Sequence, residues 1–415
     1  MSLITPPLAL YVHFPWCVRK CPYCDFNSYA LRAPLPEDRY VRALIEDLSQ
    51  QARALVTRPL ASVFLGGGTP SLFSPFAVER VLSAARATFG FDPDIEVTLE
   101  ANPGAIERGR FREYREAGVN RVSLGAQSFD ARLLRSLGRI HSPAETRRAA
   151  EELHAADIPN FNLDLMYALP EQDVRGAVAD VEQAIGLEPA HISHYQLTLE
   201  AGTVFAASPP QLPSDEVAAD MLAACEQRLA AAGFERYETS AYARAGRLAR
   251  HNCNYWSFGD YLGVGAGAHG KRTEAGHGRV IRTVHAREPR RYLAAPADVV
   301  SRVVEPRDLP FEFMLNALRL AGGFEPRLFV ARTGLRWSAV EPTLERLKDR
   351  GLMTRTDTHW KPTPLGARFL NELLLEFLPE SPATGTSHLS TVDRQAASDG
   401  PARLLYTGYD GATGK

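Results

Sequence analysis

Short apolar runs alternate with amphipathic stretches from the start of the chain to about residue 300. The runs Leu8–Val12, Ser62–Leu65, Ile95–Leu99, Arg121–Gly125, Phe161–Leu165 and His191–Leu197 read as strands. Between them, Asp38–Ala54, Pro75–Phe89, Ile106–Ala117, Pro143–Ala156 and Val174–Leu187 carry apolar residues at helical spacing, each with one face to bury. This alternation predicts an α/β fold, a parallel sheet with covering helices. Six units suit a partial (β/α)6 barrel better than a full eight, and pattern alone leaves a doubly wound sheet open. Asp215–Ala232 reads as a further helix and Glu238–Ala243 as a further strand.

From about residue 301 the pattern changes. Leu309–Leu320 and Ser338–Arg350 read as helices, Leu352–Thr363 as a short hairpin and Leu365–Phe377 as a last helix. Helices followed by a small β wing predict a smaller, winged-helix-like α+β domain. The expected organisation is therefore a barrel domain over 1–300, a C-terminal domain over 301–380, and a tail over 381–415. The tail is rich in Ser, Pro, Thr, Gly and Ala, and that composition predicts disorder.

Composition narrows the classes. The 415 residues are 45% hydrophobic and carry a net charge of −2, enough chain for a large core and no excess charge to draw nucleic acid or an anionic membrane. In the C-terminal domain Arg346, Lys348, Arg350, Arg355 and Lys361 are interleaved with Glu341, Glu345, Asp349 and Asp357, so no basic face forms and nucleic acid is not expected. No apolar stretch is long enough to span a bilayer, and the first residues lack a basic segment followed by an apolar one. Five cysteines, three of them clustered, do not read as a disulfide framework. The expected setting is the reducing cytoplasm.

The three clustered cysteines, Cys17, Cys21 and Cys24, change the picture most. As C-x-x-x-C-x-x-C they can hold three irons of a [4Fe–4S] cluster. Phe26 stands where a fourth cysteine would follow, which leaves the fourth iron for a ligand that is not protein. That arrangement suits S-adenosylmethionine (SAM), held by its amino and carboxylate groups and cleaved by one-electron reduction. The same spacing could line one helix face, but Pro15 and Pro22 oppose a helix there. A zinc site would ask for a fourth Cys or His.

Other polar residues gather where parallel-strand folds keep their chemistry, at the carboxyl ends of strands. Gly66-Gly67-Gly68-Thr69-Pro70 follows the second run and exposes backbone N–H donors to a close ligand. Glu100 ends the third run, Gln127 follows the fourth, and Asp164 lies near the end of the fifth; Arg139 can grip a carboxylate with two donors. Singly these read as caps or surface ion pairs, whereas at successive strand ends they belong together. His251 precedes Asn252, Tyr255 and Trp256 and could ligate a metal or a heme iron, or equally hydrogen-bond within the fold beside packed aromatics.

These motifs together resemble the oxygen-independent coproporphyrinogen III oxidase family of radical-SAM proteins. The resemblance runs to about residue 380 and includes Tyr11-x-His13-x-Pro15-x-Cys17, the cysteine triplet, the Gly66–Pro70 turn, Leu124-Gly-Ala-Gln127-Ser-Phe129 and Asn162-Leu-Asp164-Leu-Met-Tyr-x-Leu-Pro170. Within that family the chain is most similar to the HemW branch, the heme chaperones. His251-Asn-x-x-Tyr255-Trp256 matches the motif of that branch. Phe26 replaces an additional cysteine found in the true dehydrogenase, and only ten residues precede Tyr11, where the dehydrogenase has a longer extension.

The resemblance implies roles. Cys17, Cys21 and Cys24 would ligate the cluster. Tyr11, Tyr23, Gly67 and Glu100 would contact the SAM bound to it. Gly68, Thr69, Gln127, Arg139 and Asp164 match positions that line a second SAM or the substrate region in the dehydrogenase, and His251 is a candidate for heme contact. The implied function is a heme chaperone that delivers heme to membrane respiratory proteins, with a peripheral contact at the inner membrane face. Whether it forms a homodimer the sequence leaves open. The rivals are oxidative decarboxylation of coproporphyrinogen III, which Phe26 and the short N-terminus oppose, and a radical-SAM methylase or heme-degrading enzyme on the same scaffold.

Overall fold

A computed structural model of the chain describes residues 3–53, 55, 58–104 and 109–379. The expected tail, 381–415, lies outside these residues. All six predicted strands form: β1 (Leu8–Phe14), β2 (Leu60–Gly67), β3 (Phe91–Ala101), β4 (Arg121–Gln127), β5 (Phe161–Tyr167) and β6 (His191–Gln196). They lie side by side in chain order, every neighbouring pair parallel. Every residue of β1 is buried, as expected for a parallel strand covered on both faces.

The covering helices follow the pattern closely because their ends are written in the sequence. Ser74 caps Pro75–Phe89, its hydroxyl accepting from Ala77 N, and Gly90 ends that helix at φ +74°. Ser142 and Glu145 form a reciprocal capping box at the start of Pro143–Ala155. Asp173 and Ser214 cap Val174–Gly186 and Asp215–Ala231. The predicted helix Ile106–Ala117 is observed as Phe111–Glu116, and residues 106–108 lie outside the described set. One large apolar core fills the space between the sheet and these helices.

The sheet extends further than the sequence pattern indicates. After β6 come β7 (Glu235–Arg236) and β8 (Ala241–Ala243), both antiparallel, so the predicted strand at Glu238–Ala243 is shorter than expected and Glu238 instead forms a bridge with Leu320. A seventh parallel strand, β9 (Asp260–Val264), pairs with the free edge of β1. From β9 the sheet continues antiparallel through β10 (His269–Glu274), β11 (Arg279–His285) and β12 (Val299–Val303). Twelve strands result, in the order β12-β11-β10-β9-β1-β2-β3-β4-β5-β6-β8-β7.

The C-terminal region has its own apolar core around Phe313, Phe329, Leu344 and Trp360, joined by Phe258 and Val280 from the preceding region. Its helices are Leu309–Ala317, Pro326–Thr333 and Glu341–Asp349, and the predicted hairpin appears as Met353–Arg355 against Trp360–Pro362. The predicted last helix is broken at Phe369 into Pro364–Arg368 and Leu370–Leu375. The region is tied to the barrel at β7–β8: Ala321 N donates to Tyr237 O at 2.9 Å, and Arg319 pairs with buried Glu238 at 3.2 Å.

Candidate cofactor cavity

β1 delivers the chain directly into the cysteine loop. Backbone bonds pin that loop: Tyr29 N to Pro15 O and Leu31 N to Cys17 O, both at 2.8 Å, and Cys24 N to Cys21 O at 3.2 Å. The Gly66–Thr69 turn after β2 clamps it from the side, Gly68 N donating to Phe14 O at 2.6 Å and Thr69 N to Trp16 O at 2.8 Å. Only glycine fits at Gly68, where a Cβ would lie 2.6 Å from the Trp16 carbonyl oxygen and 2.8 Å from that of Phe14. Asn27 fastens the far side of the loop, donating to Ala266 O and Arg287 O at 2.9 Å each.

Cys17, Cys21 and Cys24 all line one cavity enclosing about 1290 Å³, its open mouth included. Among the described residues, no three Cys, His, Asp or Glu side chains converge on a point that one metal ion could fill. A cluster asks something else of them, one iron for each thiolate. Burial pushes the Cys24 thiol up to about 11 and raises that of Cys17. Iron would supply the positive charge that holds such thiols deprotonated. The residues present fit a [4Fe–4S] cluster.

The strand-end residues surround this loop. Glu100 Oε2 accepts from Gly67 N at 3.0 Å. Burial, with the negative charge of Asp164 adding to it, pushes the Glu100 carboxyl up to about 8, and burial also raises Asp164 against hydrogen bonds from Asn162 and Ser123. Two half-buried carboxyls beside an exposed-backbone turn suit a cationic ligand such as the ammonium of SAM. Arg139 reaches from the other side: Nη1 approaches Cys21 Sγ at 3.6 Å and Nη2 donates to Gly125 O at 2.8 Å and to Asn102 Oδ1. Gln127, at φ +66°, turns its side chain to accept from Tyr195 OH at 2.7 Å. Tyr23, Gly67, Gly68, Thr69, Glu100, Gln127, Arg139, Asp164 and His251 thus share one cavity with the cysteines.

Tyr11 does not join them. It is buried behind Phe64, its ring stacked there at 5.9 Å, and its hydroxyl bonds His13 Nδ1 at 2.7 Å. The structure gives it a place in the framework behind the cavity wall, because side chains alternate along β1 and Tyr11 falls on a face already occupied.

Deeper in the barrel lies a polar network that the strand-end rule missed. His251, on the short helix Arg250–Trp256, stacks on Phe64 at 4.4 Å and bonds Glu96 through Nδ1 at 2.6 Å. Burial lowers the His251 pKa in spite of Glu96, and the carboxylate facing Nδ1 favours the neutral tautomer that carries its proton there. Burial would raise Glu96, but His251, Arg121 and the Arg250 backbone outweigh it and keep the carboxylate ionised. His191 bonds Asn162 Oδ1 at 2.6 Å and Tyr237 OH at 2.9 Å, and Asn252 Nδ2 donates to Tyr237 OH at 3.1 Å. Tyr255 and Trp256 turn away and pack with Ala9 and Tyr261. The signal for these residues was present as a two-residue period. Arg121, Ser123, Gly125 and Gln127 on β4, Asn162, Asp164 and Met166 on β5, and His191, Ser193 and Tyr195 on β6 all line the cavity.

A loop of three cysteines at the mouth of a six-unit parallel barrel defines a radical-SAM fold, and comparison with known proteins agrees. Residues 11–183 match the radical SAM superfamily and residues 304–369 the HemN C-terminal domain. The chain is 46% identical to the heme chaperone HemW of Escherichia coli K12 and 44% to that of Haemophilus influenzae, in each case over 90% of this chain and 99% of the relative. It is 36% identical to the bovine mitochondrial radical S-adenosyl methionine domain-containing protein 1, over 89% of this chain and 87% of that protein. Among solved structures, coproporphyrinogen III oxidase (HemN) of Escherichia coli superposes with a TM-score of 0.76 at 20% identity, covering 90% of both chains. The chain belongs to the HemW family of the radical-SAM superfamily. That superfamily implies a [4Fe–4S] cluster and SAM. No helix among the described residues is long and apolar enough to cross a membrane.

Proposed function

We propose that this chain carries heme and hands it to membrane respiratory proteins, with a [4Fe–4S] cluster on Cys17, Cys21 and Cys24 and SAM beside it. The observation that carries the reading is the shared cavity: His251 and Asn252 line the same space as the three cysteines. Glu96 holds the His251 proton on Nδ1, which leaves Nε2 free to meet a heme iron. Tyr23, Gly67 and Glu100 serve SAM at the cluster, and Gly68, Thr69, Gln127, Arg139 and Asp164 face the ligand beyond it. Bound there, the cluster would supply a single electron to the sulfonium of SAM. Glu100 and Asp164 would offset the cationic charge of SAM, and the buried walls of β4–β6 would keep water from both ligands.

The naming of the 46% identical relative as a heme chaperone supports the same reading. The chain would work in the cytoplasm and touch the inner membrane face through apolar surface, since its net charge of −2 offers no attraction to anionic lipid. Exposed Leu365, Phe369, Leu375 and Leu378 near the end of the C-terminal region are candidates for that contact. The test is transfer. Reconstituted protein loaded with heme is mixed with inverted membrane vesicles that hold a heme-free respiratory oxidase, and the membrane heme spectrum is followed. Faster appearance of oxidase heme than from free heme at equal concentration is expected; equal rates would refute delivery.

A further inference from the structure

Arg121 opens β4 on the face that lines the cavity, and its side chain is only 3% exposed. A buried guanidinium carries five N–H donors and normally spends them on acceptors. This one does not. Its nearest opposite charge is Glu96 Oε2, 3.9 Å from Nε, too far for a hydrogen bond. Nε is buried without an acceptor among the described residues. Glu96 takes its hydrogen bonds elsewhere, accepting from Arg250 N at 2.9 Å, His251 N at 3.2 Å and His251 Nδ1 at 2.6 Å. The neighbouring amide oxygen of Asn162 is likewise taken, by His191 at 2.6 Å and Ser193 at 3.1 Å.

A charged, planar fork left without an acceptor at the floor of a cavity fits a planar anion with two oxygens. We propose that Arg121 anchors a ligand carboxylate there, and that the carboxylate is a propionate of the tetrapyrrole. The identification as a propionate rests on the heme-carrying reading. The alternative source is the carboxylate of SAM, and a comparison of SAM with decarboxylated SAM separates the two. SAM at the cluster has its own partners near Glu100 and the Gly66–Thr69 turn. Arg121 and His251 instead flank the same Glu96 carboxylate, so a ligand that meets His251 lies within reach of the guanidinium.

The test uses the full-length reconstituted protein, with iron mesoporphyrin IX and its dimethyl ester as probes. The wild type is expected to favour the free acid by roughly 10- to 100-fold, the range of a charge-assisted hydrogen bond. Arg121→Gln is expected to bring that ratio down to about twofold or less, and Arg121→Lys, which keeps the charge, to retain part of it. A second arm compares SAM with decarboxylated SAM, and Arg121→Gln should leave that ratio unchanged. Equal binding of acid and ester by the wild type overturns the proposal without any variant, so a poorly folded variant does not shield it. An acid preference that survives in Arg121→Gln also overturns it, as does a change confined to the SAM arm. A wild type that binds neither porphyrin overturns the heme-carrying reading, and the propionate anchor with it.

Discussion

Glu100 should make the ligand-free protein lose stability as the pH rises. Its half-buried carboxyl is desolvated by the cavity wall and lies near Asp164, and against one hydrogen bond from Gly67 N its pKa in the fold is pushed up to about 8 from an ordinary 4.5. A carboxyl raised in the folded state holds its proton more tightly there than in the unfolded chain. Stability is therefore full below about 4.5 and falls as the pH climbs toward 8. At ~1.36 kcal/mol per pH unit the whole effect is roughly 5 kcal/mol, of which roughly 3 kcal/mol falls between about pH 5 and pH 8. Glu100→Gln removes the charge and keeps an oxygen for Gly67 N. Urea unfolding of both cluster-free proteins at about pH 5, 6.5 and 8 isolates Glu100 together with the Asp164 charge coupled to it, since titrations remote from the site cancel in the difference. The variant should match the wild type at the lowest pH and exceed it by roughly 3 kcal/mol at the highest. A difference that stays constant with pH would refute the reasoning. The gain should be matched by weaker SAM binding, because an offset charge at the site is what the instability maintains.

Other consequences can be checked alongside. Tyr11→Phe should cost about 1 kcal/mol through its lost bond to His13 and leave SAM affinity within about twofold; a large loss of SAM affinity by calorimetry would return Tyr11 to the ligand. Glu96→Ala strands two backbone N–H groups, the His251 imidazole and Arg121 in the interior, so about 3–5 kcal/mol should disappear from the unfolding free energy. A cost below about 1 kcal/mol would mean that the network is wet or rearranged. Gly68→Ala forces a Cβ onto two carbonyl oxygens that hold the cysteine loop, and iron retained per chain after reconstitution should drop. Full iron loading in that variant would show that the clamp is dispensable.

Much of the fold was legible because each βα unit carries several agreeing signals. Pro75–Phe89 has its serine cap, its proline at the first turn and its glycine stop all in the sequence. The seventh parallel strand was not legible, because Gly263 interrupts its apolar run and Gly265 follows it directly, together resembling a ligand turn. Gly263 is demanded by packing: a Cβ there would lie 1.9 Å from the His269 carbonyl oxygen on the neighbouring strand. The cavity divides in the same way. Its upper half could be read from local motifs, the cysteine triplet and the glycine turn. Its floor draws Arg121, Asn162, His191 and His251 from three strands and a helix, far apart in sequence, with Glu96 of a fourth strand bonded to His251. Only the polar residues at every second position of β4, β5 and β6 hinted that these strands face something other than an apolar core. Tyr11 lies behind Phe64 and outside that lining, since a motif fixes which residue is present and not which way its strand turns it.

The most direct test of the central claim puts two assays on one anaerobically reconstituted sample. Heme is titrated by absorbance, and products are analysed after coproporphyrinogen III, SAM and reductant are added. Saturable heme binding with no decarboxylated product is the predicted result. Decarboxylated product formed at a catalytic rate, and lost in Cys21→Ser, would contradict the account and make the chain an oxidase.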